Sequence, residues 1–343
     1  MLPRDPFMHI RENIPIKPYN TFGMNVHARW FTAVHSVEDL KEIFANPQWK
    51  DRHFILGGGS NILFTRDVDA LVLHNEIRGI SVTNETDDAI FVRTGAGEVW
   101  HKFVLDCIRH ERAGTENLSL IPGSVGAGPM QNIGAYGVEL KDFFHEVEAY
   151  HIREDYTRTF DSAACKFGYR ESVFKNELKD QFFITSVTFR LNKKSKFNTS
   201  YGAIEKELER MGVQDLSIAA ISQAVINIRT SKLPDPARIG NAGSFFKNPV
   251  VTAEEHKRLK KEFPELVAYP SGNDFKLAAG WLVEQTGWKG KRLGDAGVHK
   301  EQALVLVNYG NAKGSEIFEL SEKVTEAVKD KFGVELVREV NVY

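Results

Sequence analysis

Two glycine-rich loops hold the residues whose chemistry is easiest to read. Gly57-Gly58-Gly59-Ser60-Asn61 directly follows a short apolar run, and a longer stretch extends from Pro122 through Gly123, Ser124, Gly126, Gly128, Asn132, Gly134, Ala135 and Tyr136 to Gly137. Glycine lets a backbone come close to a ligand and aim successive N–H groups at anionic oxygens, while Ser and Asn add hydrogen bonds. Tight turns explain single glycines well, but they explain two long stretches of Gly, Ser, Asn and Ala poorly. The pattern favours a phosphate-bearing ligand. Neither the dinucleotide fingerprint GxGxxG nor the P-loop GxxxxGK[ST] occurs, and Gly126-Ala127-Gly128 runs into Pro129 instead of a third glycine. A standard Rossmann site and a standard P-loop ATPase are therefore disfavoured. A β-rich nucleotide or flavin fold remains.

Four further stretches hold side chains that could act on such a ligand. Ser244 lies in Gly243-Ser244-Phe245-Phe246-Lys247-Asn248-Pro249, with neither a GxSxG elbow nor a local histidine base. From these residues alone it reads as a buried strand serine bonded to backbone. As a general acid it would serve only a very basic partner, such as a carbanion or enolate. Arg170, in Phe167-Gly168-Tyr169-Arg170-Glu171-Ser172, reads equally as a surface cation stacked on Tyr169 or as a fixed cation for a carboxylate or developing oxyanion. Arg229 and Lys232 precede the rigid turn Leu233-Pro234-Asp235-Pro236 and could bind a diphosphate or cap a helix C-terminus. Glu339, in the alternating run Leu336-Val337-Arg338-Glu339-Val340, is by default an edge-strand carboxylate. No histidine pair has ligand spacing, and Cys107 and Cys165 form no CxxC, so metal binding has no positive sign and a disulfide framework is disfavoured.

These residues need a scaffold, and 343 residues exceed one ordinary core. A chain 42% hydrophobic and 26% charged is neither disordered nor collagen-like. Forty-four basic against 46 acidic side chains give a charge of −2, so no global field draws nucleic acid or anionic lipid. The longest apolar runs, such as Ala303 to Val307, are strand-sized. The start, Met1 to Pro6, lacks an apolar signal core, and a reducing cytoplasm is the simplest home. The first two thirds read as strands at Asn25–Val34, His53–Leu56, Ala70–Leu73, Ile77–Thr83, Ala89–Thr94, Phe143–Ile152 and Phe182–Leu191. Helices are expected at Val37–Phe44 and Val99–His110, the second with Val99, Phe103, Leu105 and Ile108 at helical spacing. A polar stretch, Asn192–Ser200, breaks the β pattern. Helices follow at Ile204–Met211, Leu216–Thr230, Thr252–Glu262, Phe275–Thr286 and Ser315–Lys331, with strands at Ala303–Asn308 and Glu335–Val342. The class is α+β, with a domain boundary between about Asn192 and Pro236.

The motifs, taken together and in order, resemble the UDP-N-acetylenolpyruvylglucosamine reductase (UDP-N-acetylmuramate dehydrogenase) family of peptidoglycan synthesis. The matching segments are Asn20–Gly23, Leu56–Asn61, Ile121–Ala127, Gln131–Gly137, Phe167–Arg170, Gly243–Pro249 and Glu339-Val340, which span nearly the whole chain. The resemblance implies an FAD-binding domain of the vanillyl-alcohol-oxidase (PCMH) type followed by a C-terminal α+β substrate-binding domain. The expected division is FAD-binding subdomains at 1–70 and 71–215, the second with a capping segment near 192–212, a substrate domain at 216–330 and a terminal strand at 331–343. It implies non-covalent FAD, held by Gly57, Gly58, Gly59, Ser60, Asn61, Gly123, Ser124, Gly126, Gly134, Ala135, Tyr136 and Arg229. NADPH reduces the flavin and leaves; the enolpyruvyl nucleotide sugar then takes a hydride at its methylene carbon and becomes UDP-N-acetylmuramate. By this resemblance Arg170 and Glu339 stabilise the enolate-like intermediate, Glu339 in its protonated form, and Ser244 protonates the neighbouring carbon. Tyr201 matches the tyrosine of a substrate-capping loop, and Lys232, Asn248 and Gln285 match groups around the UDP diphosphate. Many members carry arginine two residues after the matching glutamate; here the position is Asn341. The implied protein is a cytoplasmic monomer without nucleic-acid or membrane partners. A related flavin oxidoreductase, or a non-catalytic nucleotide-sugar module, would not need Arg170, Ser244 and Glu339 together.

Overall fold

The computed structural model describes residues 10–343, which divide into two compact units. The first takes in residues 10–14, 28–58 and 68–231; the second takes in 15–27, 59–67 and 232–343. Each unit is thus assembled from separated pieces of chain. The first glycine loop is itself divided, with Gly57 and Gly58 in the first unit and Gly59, Ser60 and Asn61 in the second.

The first unit carries two sheets. One has the strand order Arg11–Pro15, His27–Val34, Val68–Asn75, His53–Leu56, and its last three strands run parallel. Helix Val37–Phe44 starts where Ser36 Oγ accepts the Asp39 N–H at 3.2 Å, with Glu38 and Asp39 in the first turn. It buries Leu40, Ile43 and Phe44, spaced three and four apart. The other sheet is antiparallel, in the order Tyr156–Asp161, Phe144–His151, Phe182–Asn192, Ala89–Gly95, Ile80–Glu85. Its core is aromatic: Phe189 stacks on Phe103 at 4.7 Å and meets Trp100 edge-on at 5.9 Å.

Helix Trp100–Arg109 buries Trp100, Phe103, Val104 and Cys107, whereas Val99 and Leu105 are exposed. The expected face of Val99, Phe103, Leu105 and Ile108 is therefore corrected. A 3.6-residue turn puts 100, 103, 104 and 107 on one side and carries Leu105 away from it. The unit ends in a helix pair, Gly202–Arg210 and Ile218–Lys232, joined through Ile204, Leu208, Ile221, Val225 and Ile228.

The second unit has a sheet ordered Gly240–Ser244, Val305–Asn308, Ala296–Val298, Arg292–Leu293. Helix Gly314–Phe332 buries Ile317, Leu320, Val324, Val328 and Phe332, and Gly333 closes it in the left-handed region at φ 70°. A small antiparallel sheet holds Val250–Val251, Asp274–Leu277 and Ala268–Ser271. The helix expected over Phe275–Thr286 is consequently split, because Asp274–Leu277 is a strand and only Ala279–Gln285 is helical. Phe275 stacks on His256 at 3.9 Å, and Asn248 Oδ1 accepts the Ala279 N–H at 3.0 Å where the helix begins. The strand expected over Glu335–Val342 is corrected to Asn341–Val342, which pairs in parallel with Ile62–Leu63; before it, Arg338 makes only an isolated bridge with Phe246, and Glu339 lies outside any strand. Among the described residues, no helix is long and apolar enough to cross a membrane.

Candidate active site

The glycine loops are built for close backbone approach. In the first unit, a Cβ added to Gly58 would lie 2.7 Å from Gly123 Cα, and one at Gly57 would lie 2.6 Å from Ser124 Oγ. The two loops therefore sit back to back, with no room for a side chain between them. A Cβ at Gly126 would lie 2.6 Å from that of Ala96. Around the second loop, Leu120, Asn132, Tyr136 and Arg170 all adopt φ between 46° and 59°, four of the nine non-glycine left-handed residues among those described. Such backbones cost about 1–3 kcal/mol each and persist where surrounding bonds enforce them. The bonds are present. Buried Asn132 donates from Nδ2 to Glu139 Oε2 (3.0 Å) and the Gly168 carbonyl (3.1 Å), and its Oδ1 accepts the Lys141 N–H.

Arg170 stands on the turn Gly168–Glu171, and Nη2 donates to the Gly134 carbonyl at 2.8 Å. A Cβ on Gly134 would come within 3.3 Å of Nη1, so the missing side chain makes room for the guanidinium. The Tyr169 ring lies 5.5 Å away. Stacking on Tyr169 is thus present, but Arg170 is also fixed to the loop, which a plain surface cation would not be. Arg229 Nε donates to the Leu120 carbonyl at 3.3 Å, and its guanidinium bonds the Tyr136 hydroxyl. Burial pulls Arg229 below the usual arginine range, with Tyr136 opposing, and burial pushes the Tyr136 hydroxyl up, with Arg229 opposing. Ala135 lies in the short strand Gly134–Ala135, paired with Val138–Glu139. Tyr201 precedes helix Gly202–Arg210, is 48% exposed, and meets the Tyr136 ring edge-on at 5.3 Å.

In the second unit, Gly59 (φ 58°) backs onto the Tyr19 carbonyl, and Thr21 N–H donates to the Gly59 carbonyl at 3.0 Å. Ser244 ends its strand beyond a register shift, where Gly243 (φ 70°) donates its N–H to Asn241 Oδ1. The bulge turns the residue outward. Ser244 is exposed, so the reading as a buried, backbone-bonded serine is corrected. Its neighbour Phe245 donates to the Leu304 carbonyl at 2.7 Å and accepts the Glu339 N–H at 2.8 Å. The strand that Ser244 ends therefore runs into a residue bonded to Glu339, within one unit. Asn61 Nδ2 reaches the Glu339 carbonyl at 3.4 Å, and the Asn61 carbonyl accepts both N–H (3.2 Å) and Nδ2 (3.1 Å) of Asn341. Lys232 is exposed at the end of its helix, and Gln285 is exposed at the end of Ala279–Gln285, where Lys331 Nζ bonds its carbonyl.

Comparison with known proteins gives these arrangements a setting. Residues 235–343 match the model described as "UDP-N-acetylenolpyruvoylglucosamine reductase, C-terminal domain", and residues 28–153 match "FAD binding domain". A UDP-N-acetylenolpyruvoylglucosamine reductase of Flavobacterium johnsoniae is 52% identical over 98% of this chain and 100% of its own length. One from Pseudomonas putida is 48% identical over 97% of this chain and 98% of its own. The chain belongs to the UDP-N-acetylenolpyruvoylglucosamine reductase family. A crystal structure of the Thermus caldophilus UDP-N-acetylenolpyruvylglucosamine reductase, at 23% identity, shares the fold with a TM-score of 0.69 over 98% of this chain and all of that one.

As a member of this reductase family the chain is an FAD-dependent oxidoreductase, and its residues fit the cofactor. Gly57 and Gly58, inside the matched FAD-binding segment, have no room for a side chain against Ser124 and Gly123 of the same segment. Arg170, Tyr201, Arg229 and Lys232 lie outside both matched segments, whereas Ser244, Asn248, Gln285 and Glu339 lie inside the reductase C-terminal domain. Sequence reasoning overlooked three residues that brace the reductase loops: Asn117, Asn132 as a structural tie, and His101, whose Nδ1 accepts the Leu120 N–H at 3.0 Å. Their partners lie seven to 81 residues away, and no local spacing announces them.

Proposed function

We propose that the chain reduces the enolpyruvyl group of UDP-N-acetylglucosamine enolpyruvate to give UDP-N-acetylmuramate, with Arg170, Ser244 and Glu339 as its catalytic residues. The observation that supports the residue assignment is the Phe245–Glu339 backbone bond, which ties the segment carrying Glu339 to the residue next to Ser244. FAD, when bound, accepts a hydride from NADPH and supplies it to the methylene carbon of the substrate. Gly57 to Asn61, Gly123, Ser124, Gly126, Gly134, Ala135, Tyr136 and Arg229 hold the cofactor. Arg170, kept in place by the Gly134 carbonyl, holds the substrate carboxylate as negative charge develops on it. Glu339 donates a hydrogen bond to the same oxyanion. Ser244 Oγ gives its proton to the carbon beside the carboxylate, and solvent returns a proton to Oγ. Tyr201 covers the diphosphate, which Lys232, Asn248 and Gln285 contact; Asn248 does so while its Oδ1 serves the start of helix Ala279–Gln285. The subdomain limits at 1–70, 71–215, 216–330 and 331–343, a monomeric state and a cytoplasmic setting without nucleic-acid or membrane partners complete the reading.

The test is Ser244→Ala, with each half-reaction followed separately by rapid mixing. FAD binding and reduction by NADPH should stay near wild type, because neither uses this proton. Flavin reoxidation by the enolpyruvyl nucleotide sugar should slow by about 10²–10⁴-fold, the usual cost of losing a positioned acid. Ser244→Cys should recover part of the rate. Wild-type product formation by Ser244→Ala would remove the proton-donor role.

A further inference from the structure

The segment that carries Tyr201 is stitched to the second glycine loop by two asparagines. Asn117 is 2% exposed, and its Nδ2 donates at 2.9 Å to both the Tyr136 carbonyl and the Asn198 carbonyl. Asn198 returns the contact, donating from its own Nδ2 to the Gly137 carbonyl at 3.0 Å. Its Oδ1 meanwhile accepts from Ser200 N–H (3.3 Å) and Oγ (2.8 Å), which orders the last turn before Tyr201. Gly137 has φ 80°, and an added Cβ would sit 3.3 Å from Asn198 Nδ2, so the fit leaves no slack. The Tyr136 and Tyr201 rings meet edge-on, and the Tyr136 hydroxyl bonds Arg229.

We propose that Asn117 is a positioning residue that latches the segment 192–201 to residues 136 and 137, so that Tyr201 is delivered against Tyr136 before substrate arrives. An amide is suited to this task. One NH₂ group has two donors at a fixed angle and can hold two carbonyls from separate segments at once. Being neutral, it can break and re-form these bonds without moving charge, as a cap that opens for each exchange of NADP⁺ and substrate requires. The segment is otherwise polar and mostly exposed between Lys193 and Phe197, so few apolar contacts hold it down. Preordering the segment in the free enzyme removes part of the cost of closing it on the substrate. The proposal deepens the capping reading of Tyr201 and rests on it.

Asn117→Asp keeps the shape but replaces the two-pronged donor with a group that repels both carbonyls. In the FAD-loaded enzyme without substrate, backbone hydrogen exchange at residues 196–201 should speed up by about five- to thirtyfold, the size expected for the net loss of one to two hydrogen bonds. KM for the enolpyruvyl nucleotide sugar should rise by a similar factor, with flavin reduction by NADPH near wild type. Should Asn117→Asp fold poorly, Asn198→Ala removes the bond to the Gly137 carbonyl and the two from Ser200, leaves both Asn117 bonds in place, and should shift both readouts in the same direction. Tyr201→Phe, run in parallel, separates the two ideas. If Tyr201→Phe raises KM while Asn117→Asp and Asn198→Ala leave exchange and KM unchanged, the latch is overturned and the cap stands. If the asparagine variants loosen the segment but no variant shifts KM, the latch is upheld as a structural clasp and the capping role of Tyr201 is lost. Equal slowing of both half-reactions in Asn117→Asp, with exchange unaltered, would also overturn the latch.

Discussion

At the scale of single residues, Arg170 shows how strongly placement decides chemistry. Its backbone sits at φ 57°, its Nη2 bonds the Gly134 carbonyl, and Gly134 has no side chain to crowd it. Lysine has neither the planar fork nor the reach to hold that carbonyl and a carboxylate together. Arg170→Lys should therefore slow flavin reoxidation by the enolpyruvyl substrate by about 10²–10³-fold, the range for losing one oriented oxyanion donor. Reduction by NADPH should remain close to wild type in rapid mixing. Equal damage to both steps would make Arg170 a loop anchor instead. Glu116 offers a test that does not involve substrate. It is 3% exposed, accepts the Gly114 N–H at 2.7 Å, and burial pushes its carboxyl above the ordinary range. A carboxyl raised in the folded state supports folding fully below its unfolded pKa of about 4.3 and loses that support as pH climbs through the raised value. Glu116→Gln keeps an acceptor for Gly114 and removes the charge. Its Tm relative to wild type should rise between pH 4 and pH 8; a pH-independent difference would mean that Glu116 ionises in the folded chain as readily as in the unfolded one.

At the scale of elements, the glycine loops were legible because their signal is local. Five consecutive small residues after an apolar strand can be read without knowing what they face. What they face explains their tightness: Gly58 lies against the Gly123 backbone. Gly58→Ala should force the loops apart and weaken FAD binding by about tenfold or more, the free-energy scale of overpacking one methyl group, as read by fluorescence titration of the apoprotein. Unchanged affinity would mean the loops can part without loss. Other features were not legible because their causes are remote. Ser244 turns outward through a bulge set by Asn241 Oδ1 and by pairing with Val305, and a local pattern of glycine and aromatics suggested burial instead. Phe275 looked helical because it leads into Leu277-Ala278-Ala279, yet His256 stacks on it and strand Ala268–Ser271, despite Pro270, pairs with it. The apolar spacing places helix Trp100–Arg109 within one residue at each end, but the position it buries is Val104 and not Leu105.

At the scale of the whole molecule, ordered motifs over nearly the full chain identified the family, whereas any one motif left alternatives open. Each unit draws on distant stretches, so residues 15–27 and 59–67 fold with the C-terminal third. Asn341 bonds the Asn61 carbonyl and Asn61 Nδ2 reaches the Glu339 carbonyl, which together tie the C-terminal segment 339–341 to the second unit's part of the first glycine loop. The central claim is that one chain, through FAD, moves a hydride from a nicotinamide to an enolpyruvyl nucleotide sugar. It is tested most directly by anaerobic titration of the purified, FAD-loaded protein. NADPH should bleach the flavin absorbance in a one-to-one ratio. One equivalent of UDP-N-acetylglucosamine enolpyruvate should then restore the yellow colour and yield one equivalent of UDP-N-acetylmuramate. A flavin that NADPH reduces but that the enolpyruvyl sugar leaves colourless, with no product formed, would contradict the proposed substrate and the roles of Arg170, Ser244 and Glu339 together.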